Sequence, residues 1–541
     1  MSESRARVWA LLGAVVLASA CGGGGDSGGG SSTTPPPPPP PPPAAPEEFL
    51  VAGLSQADGP KSFVVVDPAQ PSVALLTVTA ADSLLEVSNL SFDTGLRRAT
   101  FGNATMVYYV RNRQLHQASL RKSHTTRTQR ISSLASACTV DDWHPLSYAT
   151  GDDGWVEVTE AGPDGDCSTA PDNRKAFVRN ASPITTDATM LPAGVRVLAA
   201  LPDPATNMLA GFIARDSRAT PSRLTFYSPT LTYVGDVAGG AGGSSVEFMS
   251  FVPDAQLRSS AYVKVNGFML GRLSWSATSA TLSSTGQSFA VTTSDRQAYF
   301  SDSEATYFAD GLNVRRIDAA GATTTLATLD TTEGTVVRLK GLTSGHVVVQ
   351  QETTSGAARV FTIAKQGGTP LRLSPIDWVA SVVGLNGDDV VYATKPGWAI
   401  TPGFRRIRAD GSNQRQINFG SFPYENHLRP VFSSTVPYSS GQALDALVWC
   451  ELAASESSCR GNGAIKSYDV RSGTITTLGN LSHSGTGLMS SLNVGGWGRS
   501  GRPTVLTVTA VVASQPGFVT DFYMVQPGTP NSLVRLTTNI P

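Results

Sequence analysis

Charge is what this sequence has least of: only 15% of its 541 residues are Asp, Glu, Lys or Arg, and 41 basic side chains face 42 acidic ones. Without a basic excess there is no electrostatic footprint for a nucleic-acid partner, and none is expected. Aromatic residues make up 8%, and histidines number six. Long apolar runs are missing too. The run at residues 8–17 falls short of the roughly 20 residues that a membrane-spanning helix needs. Glycine (53) and proline (35), by contrast, fill about a sixth of the chain, and both are poor helix formers. Length alone would suggest three or four domains unless one large all-β domain takes most of the chain.

Chemical motifs are equally sparse. His116, His124, His144, His346, His427 and His483 show no metal-ligand spacing, and they read as turn or surface residues. There is no GxSxG elbow, and no α/β hydrolase pattern follows the β region up to Pro541, so an appended catalytic domain is not expected. The glycine cluster at residues 239–243 follows no βα pattern and matches no phosphate loop. Asp152-Asp153 and Asp164-Gly165-Asp166 supply oxygen ligands of the kind Ca2+ takes. However, the terminal Glu of a calcium loop is missing and Asp-Gly is ordinary turn chemistry, so no metal or cofactor is assigned.

The N-terminus is a targeting segment. Arg5 and Arg7 precede the apolar run, and Ala18-Ser19-Ala20 then lead to Cys21. This ending resembles the lipobox of bacterial lipoproteins, with Ala18 where that family more often has Leu. The resemblance implies cleavage of residues 1–20 and lipidation of Cys21; the alternative is an ordinary secretory signal that leaves a free thiol. Several acyl chains, at about 0.8 kcal/mol per methylene, would anchor the protein stably. Losing Glu3, Arg5 and Arg7 leaves the mature chain near neutral, so the lipid would be the anchor. Gly22, where enteric lipoproteins retained at the inner membrane carry Asp, implies a bacterial envelope address at the outer membrane. Residues 21–46 read as a tether. The Gly/Ser/Thr stretch 22–34 spans roughly 20 Å as a coil, and prolines 35–43 extend about 28 Å as polyproline II.

From residue 47 to 541 short runs rich in Val, Ile, Thr, Tyr and Phe alternate with turn residues, which predicts an all-β region. A unit of apolar strand, polar turn, alternating strand, Gly or Asp turn and third strand recurs. The clearest copy is 346–373, followed by 390–417 and 305–326; fainter ones centre on Phe63, Leu115, Phe177, Leu224, Leu270, Lys466 and Phe522. Most spacings match one four-stranded propeller blade, and residues 379–385 supply an innermost strand. The pattern resembles β-propellers of the TolB-like and WD40-like-repeat kind in bacterial envelope proteins. About seven to ten blades are expected, with eight as the central value. One large ring, half-blades of a smaller ring, two propellers and a stack of β-sandwiches are the alternatives.

Five cysteines resolve as one lipid site and two disulfides. Cys138–Cys167 and Cys450–Cys459 are the sequence-local pairs, since other pairings would join distant blades. The first would clamp an insertion holding Asp141, Asp142, Trp143 and His144. Trp143 and Trp398, with Pro and Gly as neighbours, are expected in loops and are the ligand-binding candidates. The reading that follows is a monomeric, lipid-anchored envelope propeller that binds or scaffolds an envelope protein or glycan without catalysis. A propeller lyase or glycosidase with a central-funnel site, and a surface adhesin, are the alternatives.

Overall fold

In the computed structural model the chain is built from antiparallel β-sheets; a 3₁₀ turn at Thr331–Glu333 is the one helical element among the described residues. The structure describes residues 51–540 apart from isolated positions and loop segments, chiefly 57–60, 81–85, 89–105, 147–153, 181–187, 241–245, 252–258, 289–298, 397–402, 420–427, 433–442, 453–457, 484–488, 496–503 and 512–517. The signal segment 1–20, Cys21, the tether, His124, Asp152, Asp153, Trp398 and His427 lie outside the described residues.

Nine four-stranded units follow one another along the chain, and we call them blades 1 to 9: 86–130, 137–190, 195–236, 246–288, 299–328, 336–372, 378–417, 428–480 and 489–535. Ahead of them β1 (Val51–Gln56), β2 (Lys61–Asp67) and β3 (Gln70–Ala80) form a three-stranded sheet, which meets blade 9 edgewise where Gln56 pairs with Thr520. The blade number is nine, one above the central expectation. The ten sequence units correspond to the nine blades and this extra sheet.

Burial explains why the second strand of each unit was the easiest to see. A blade packs both faces against neighbours, so its second strand has no solvent side and reads as a continuous apolar run. Val64, Val65 and Val66 of β2, residues 107–110 of blade 1 and residues 347–349 of blade 6 are all buried on this account. Each such side chain contributes roughly 1.5–3 kcal/mol on burial. The fourth strand of blade 5, Thr323–Thr328, faces water and is rich in Thr. The hairpin leading into the fourth strand needs a residue with positive φ, which the Gly in Asp410-Gly411 supplies at +84°.

The seams close a ring. Val65 and Val78 of the first sheet pack on Val107 and Tyr109 of blade 1, and Val110 of that blade packs on Val156 and Val158 of blade 2. Shared apolar clusters continue between blades 2 and 3, 3 and 4, 5 and 6, 6 and 7, 7 and 8, and 8 and 9. Blades 4 and 5 are linked by the Tyr262 hydroxyl, which donates to the Asp318 carbonyl at 2.6 Å. Phe522 and Met524 of blade 9 then meet Val64 and Val66 of β2. The first strands of successive blades lie close to one another, for example Tyr299–Ser301 beside Val336–Leu342, and so surround the hub. One cycle of seams replaces the two-propeller and sandwich alternatives.

Both expected disulfides are present. Cys138 on the first strand of blade 2 is bonded to Cys167, and Cys450 at the end of a second strand is bonded to Cys459. Gly463 is required at the second bridge, because a Cβ there would come within 2.7 Å of Cys450 Sγ and 2.8 Å of Cys459 Sγ. The stretch Asp141 to His144 is not a clamped insertion. It belongs to the strand Ala137–Pro145, which pairs with Gly154–Glu160. Trp143 accordingly pairs with Val156 on an inner strand instead of standing in a loop.

Candidate functional site

A charged cluster lies on blade 2, on the face it turns toward blade 3. Alternation along Gly154–Glu160 places Trp155, Glu157 and Thr159 on one face and Val156 and Val158 on the other. A register shift between Val140 and Asp142 on the partner strand inserts Asp141 as an extra residue beside this face. The hydroxyls of Thr139 and Thr159 donate to the Asp141 carboxylate at 2.9 and 2.7 Å. Lys175, from the third strand, donates to Asp141 Oδ2 at 2.8 Å and to Thr159 Oγ1 at 2.9 Å, and its Nζ lies 3.7 Å from Glu157 Oε1.

Deeper in, His144 Nε2 is 2.9 Å from Glu157 Oε2, and the two residues are only 5% and 7% exposed. The imidazole stands edge-on to Phe212 of blade 3, with 5.3 Å between ring centres, and stacks near Phe177 at 5.9 Å. Burial would discharge this histidine, but its hydrogen bond to Glu157 and the negative charges of Asp142 and Glu157 outweigh that and hold its pKa above the ordinary value. Glu157 is treated conversely. Burial pushes its carboxyl up, while His144, Lys175 and Arg196 on the first strand of blade 3 bring it below the ordinary range. Asp141 and Lys175, each about a quarter exposed, form the solvent side of this line of charges. Together they make a charged pair inside an apolar seam, tied to the surface through a lysine.

A second cluster sits in blade 9. The fully buried Asp521 accepts from Arg535 Nε at 3.0 Å, Thr537 Oγ1 at 2.9 Å, Asn539 N at 2.7 Å and Ile540 N at 3.2 Å. His483 Nε2 shares a 2.7 Å hydrogen bond with the Tyr523 hydroxyl, and its Nδ1 is 3.7 Å from Asp521. Burial and the Arg535 charge push this imidazole below its ordinary pKa, and the Asp521 charge does not compensate. Burial likewise raises Tyr523.

His144 and His483 are therefore interior residues, not the turn or surface residues expected. The signal for His144 was the alternation around Glu157, a carboxylate set between valines on a buried strand. Of the remaining histidines that the structure describes, His116 stacks on Tyr109 with ring centres 5.3 Å apart, and His346 opens a second strand behind the Thr343 turn. Asp164 and Asp166 spend their carboxylates on turns, accepting from Asp166 N and Ser168 N, each at 2.9 Å. Among the described residues no group of three His, Cys, Asp or Glu is placed to hold a metal ion. Tryptophans elsewhere fasten blades: Trp155 Nε1 donates to the Pro229 carbonyl of blade 3 at 2.8 Å, and Trp275 Nε1 donates to the Pro202 carbonyl of blade 3 at 3.0 Å.

No protein-family model matches the chain, and no curated protein matches it. Among solved structures it is similar to an oligogalacturonate lyase in complex with manganese, at 11% identity over 69% of this chain and 97% of that one, with a TM-score of 0.31. A putative TolB from Agrobacterium tumefaciens is 13% identical over 46% of this chain and 84% of that one, with a TM-score of 0.24. A puromycin-hydrolyzing peptidase from Mycobacterium tuberculosis is 11% identical over 85% of this chain and 57% of that one, with a TM-score of 0.29.

Proposed function

We propose that this is an exported, lipid-anchored propeller of the bacterial envelope that binds or scaffolds another envelope protein or a glycan and performs no catalysis. The observation that carries this reading is where the acid–base groups lie. His144, Glu157, His483 and Asp521 are each at most 7% exposed and are engaged across seams or with the C-terminal segment, so they hold blades together and are closed to a substrate. Two disulfides suit an oxidising compartment outside the cytoplasm. A rigid ring offers its loops as a recognition face. Cys21 would carry the lipid, and residues 22–46 would set the ring off from the membrane.

Two experiments test the two parts of this reading. Palmitate-analogue labelling of cells should mark the wild-type chain and not Cys21→Ala; label persisting in the variant would end the anchor assignment. Affinity purification from detergent-solubilised envelopes should return one specific protein or glycan, and repeated purification with no specific partner would count against the scaffold. The competing lyase or glycosidase reading draws on Asp141 and Glu157 sharing Lys175. It requires glycan cleavage that Glu157→Gln abolishes while the ring stays folded.

A further inference from the structure

In each of blades 1 to 9 a fourth strand covers the third. The β1–β3 sheet differs. β1 takes the inner place, β2 has the uninterrupted burial of a second strand, and β3 stands third. Among the described residues no strand pairs with the outer edge of β3. Its backbone therefore presents, toward the rim, the same row of donors and acceptors that the other blades satisfy with a fourth strand.

β3 is also the longest strand among the described residues, with 11 residues, Gln70–Ala80, and none of them is charged. It exposes Val73 at 49% and Leu75 at 44%, two of the large apolar side chains most open to water. Protected edges carry lysines, inward charges, prolines or bulges; this one has no charge, and its one proline, Pro71, stands at the start of the strand. Register shifts on both sides of Ala74 interrupt the ladder over residues 71–75, but residues 76–80 pair regularly with residues 61–65 of β2 and keep a straight edge.

We propose that this fourth place, which no described strand takes, is filled by β3 of a second copy, giving a two-fold dimer with one sheet continuous across both rings. Three features favour a second copy over another occupant. The missing strand must run antiparallel to β3, and a two-fold axis through the edge supplies that direction automatically. An uncharged edge meets its own copy without like-charge repulsion, and it offers a charged peptide nothing to pair with. Exposed Val73 and Leu75 of both copies would be withdrawn from water together. The expectation of a monomer is replaced under this proposal, which is independent of what the recognition face binds.

The test uses the full chain purified in detergent, with its mass measured by light scattering over a hundredfold range of concentration, and with hydrogen exchange read at β3. Twice the chain mass, slow exchange at residues 76–80, and loss of both in Val73→Lys/Leu75→Lys are expected. Both sites are exposed, so the variant should keep the thermal transition and disulfides of the wild type. Chain mass at every concentration with fast exchange at β3 would overturn the proposal. So would chain mass with slow exchange, which would mean that the chain covers its own edge, and so would a dimer that the two lysines leave intact.

Discussion

Blade 2 buries a histidine beside a carboxylate, and so does the entry to blade 9, but the two imidazoles are shifted in opposite directions. In blade 2 the imidazole of His144 takes Glu157 directly, at 2.9 Å, and stays charged at pH values where a free histidine has lost its proton. In blade 9 Asp521 is already occupied by Arg535, Thr537 and two backbone amides, and His483 is left 3.7 Å away with a tyrosine for a partner. Burial is similar in both sites. The difference lies in whether the carboxylate was free to accept from the ring, so a count of nearby charges would have misjudged one of them.

The comparison breaks most visibly if Asp521 is removed. Asp521→Ala removes the counter-charge of Arg535 and leaves the Asn539 and Ile540 amides without their acceptor in the interior, and a loss of about 5 kcal/mol is expected by denaturant titration. Hydrogen exchange should show residues 533–540 released first; a loss under 1 kcal/mol would mean that the cluster does not hold the C-terminus.

Glu157→Gln should cost less, about 3 kcal/mol, because the amide keeps a hydrogen bond to His144 while the charge is lost. In that variant the pKa of His144 should fall below the ordinary value, toward the behaviour of His483. Histidine NMR titration would show it, and an unchanged His144 pKa would refute the assigned cause.

The disulfides sort by loop length. Bridges of sequence separation 29 and 9 close very different loops. Replacing Cys138 and Cys167 by serine should cost about 3.6 kcal/mol, and replacing Cys450 and Cys459 about 2.7 kcal/mol, on chain-entropy grounds. Thermal or denaturant unfolding of the two double variants would test the order, and the reverse order would show that packing around Gly463 outweighs loop entropy.

The smallest effect is the dependence on pH, and its sign differs between the two blades. His144 has a raised pKa, so its contribution is full below pH about 6.5 and is lost as pH rises through its folded value. Glu157, with a lowered pKa, contributes above the ordinary carboxylate range and loses its contribution as pH falls through its folded value. His483 has a lowered pKa, so it contributes above about 6.5 and loses stability as pH falls toward its folded value. His483→Gln should flatten the acid side of the stability curve, whereas His144→Gln should flatten the alkaline side. Identical curves for the two variants would erase the distinction.

Much of the ring was legible from the chain because its physics is local. Second strands buried on both faces show as runs such as Phe63-Val64-Val65-Val66, and hairpins announce themselves by Asp-Gly. The segment at residues 379–385 falls within the inner strand Trp378–Asn386. What could not be read was set by partners far away in sequence. The bulge that brings Asp141 to Lys175 breaks the alternation by which a strand is recognised, so residues 141–144 looked like an insertion. His483 depends on Tyr523 and Asp521, about forty residues further on, and the first sheet, which has three strands among the described residues, has spacing like that of any blade.

Placing Val64 and Val66 against Phe522 and Met524 has a consequence for how the molecule comes to exist. The seam that closes the ring joins residues more than 450 positions apart, and the second partner is made only after all the intervening blades. Loop-closure entropy grows slowly with length, so the distance itself is affordable. Time is the harder constraint: until blade 9 arrives, one flank of β2 stays without its mate, and the emerging chain carries an open apolar face. Folding of this ring should therefore end, rather than begin, at its amino-terminal sheet.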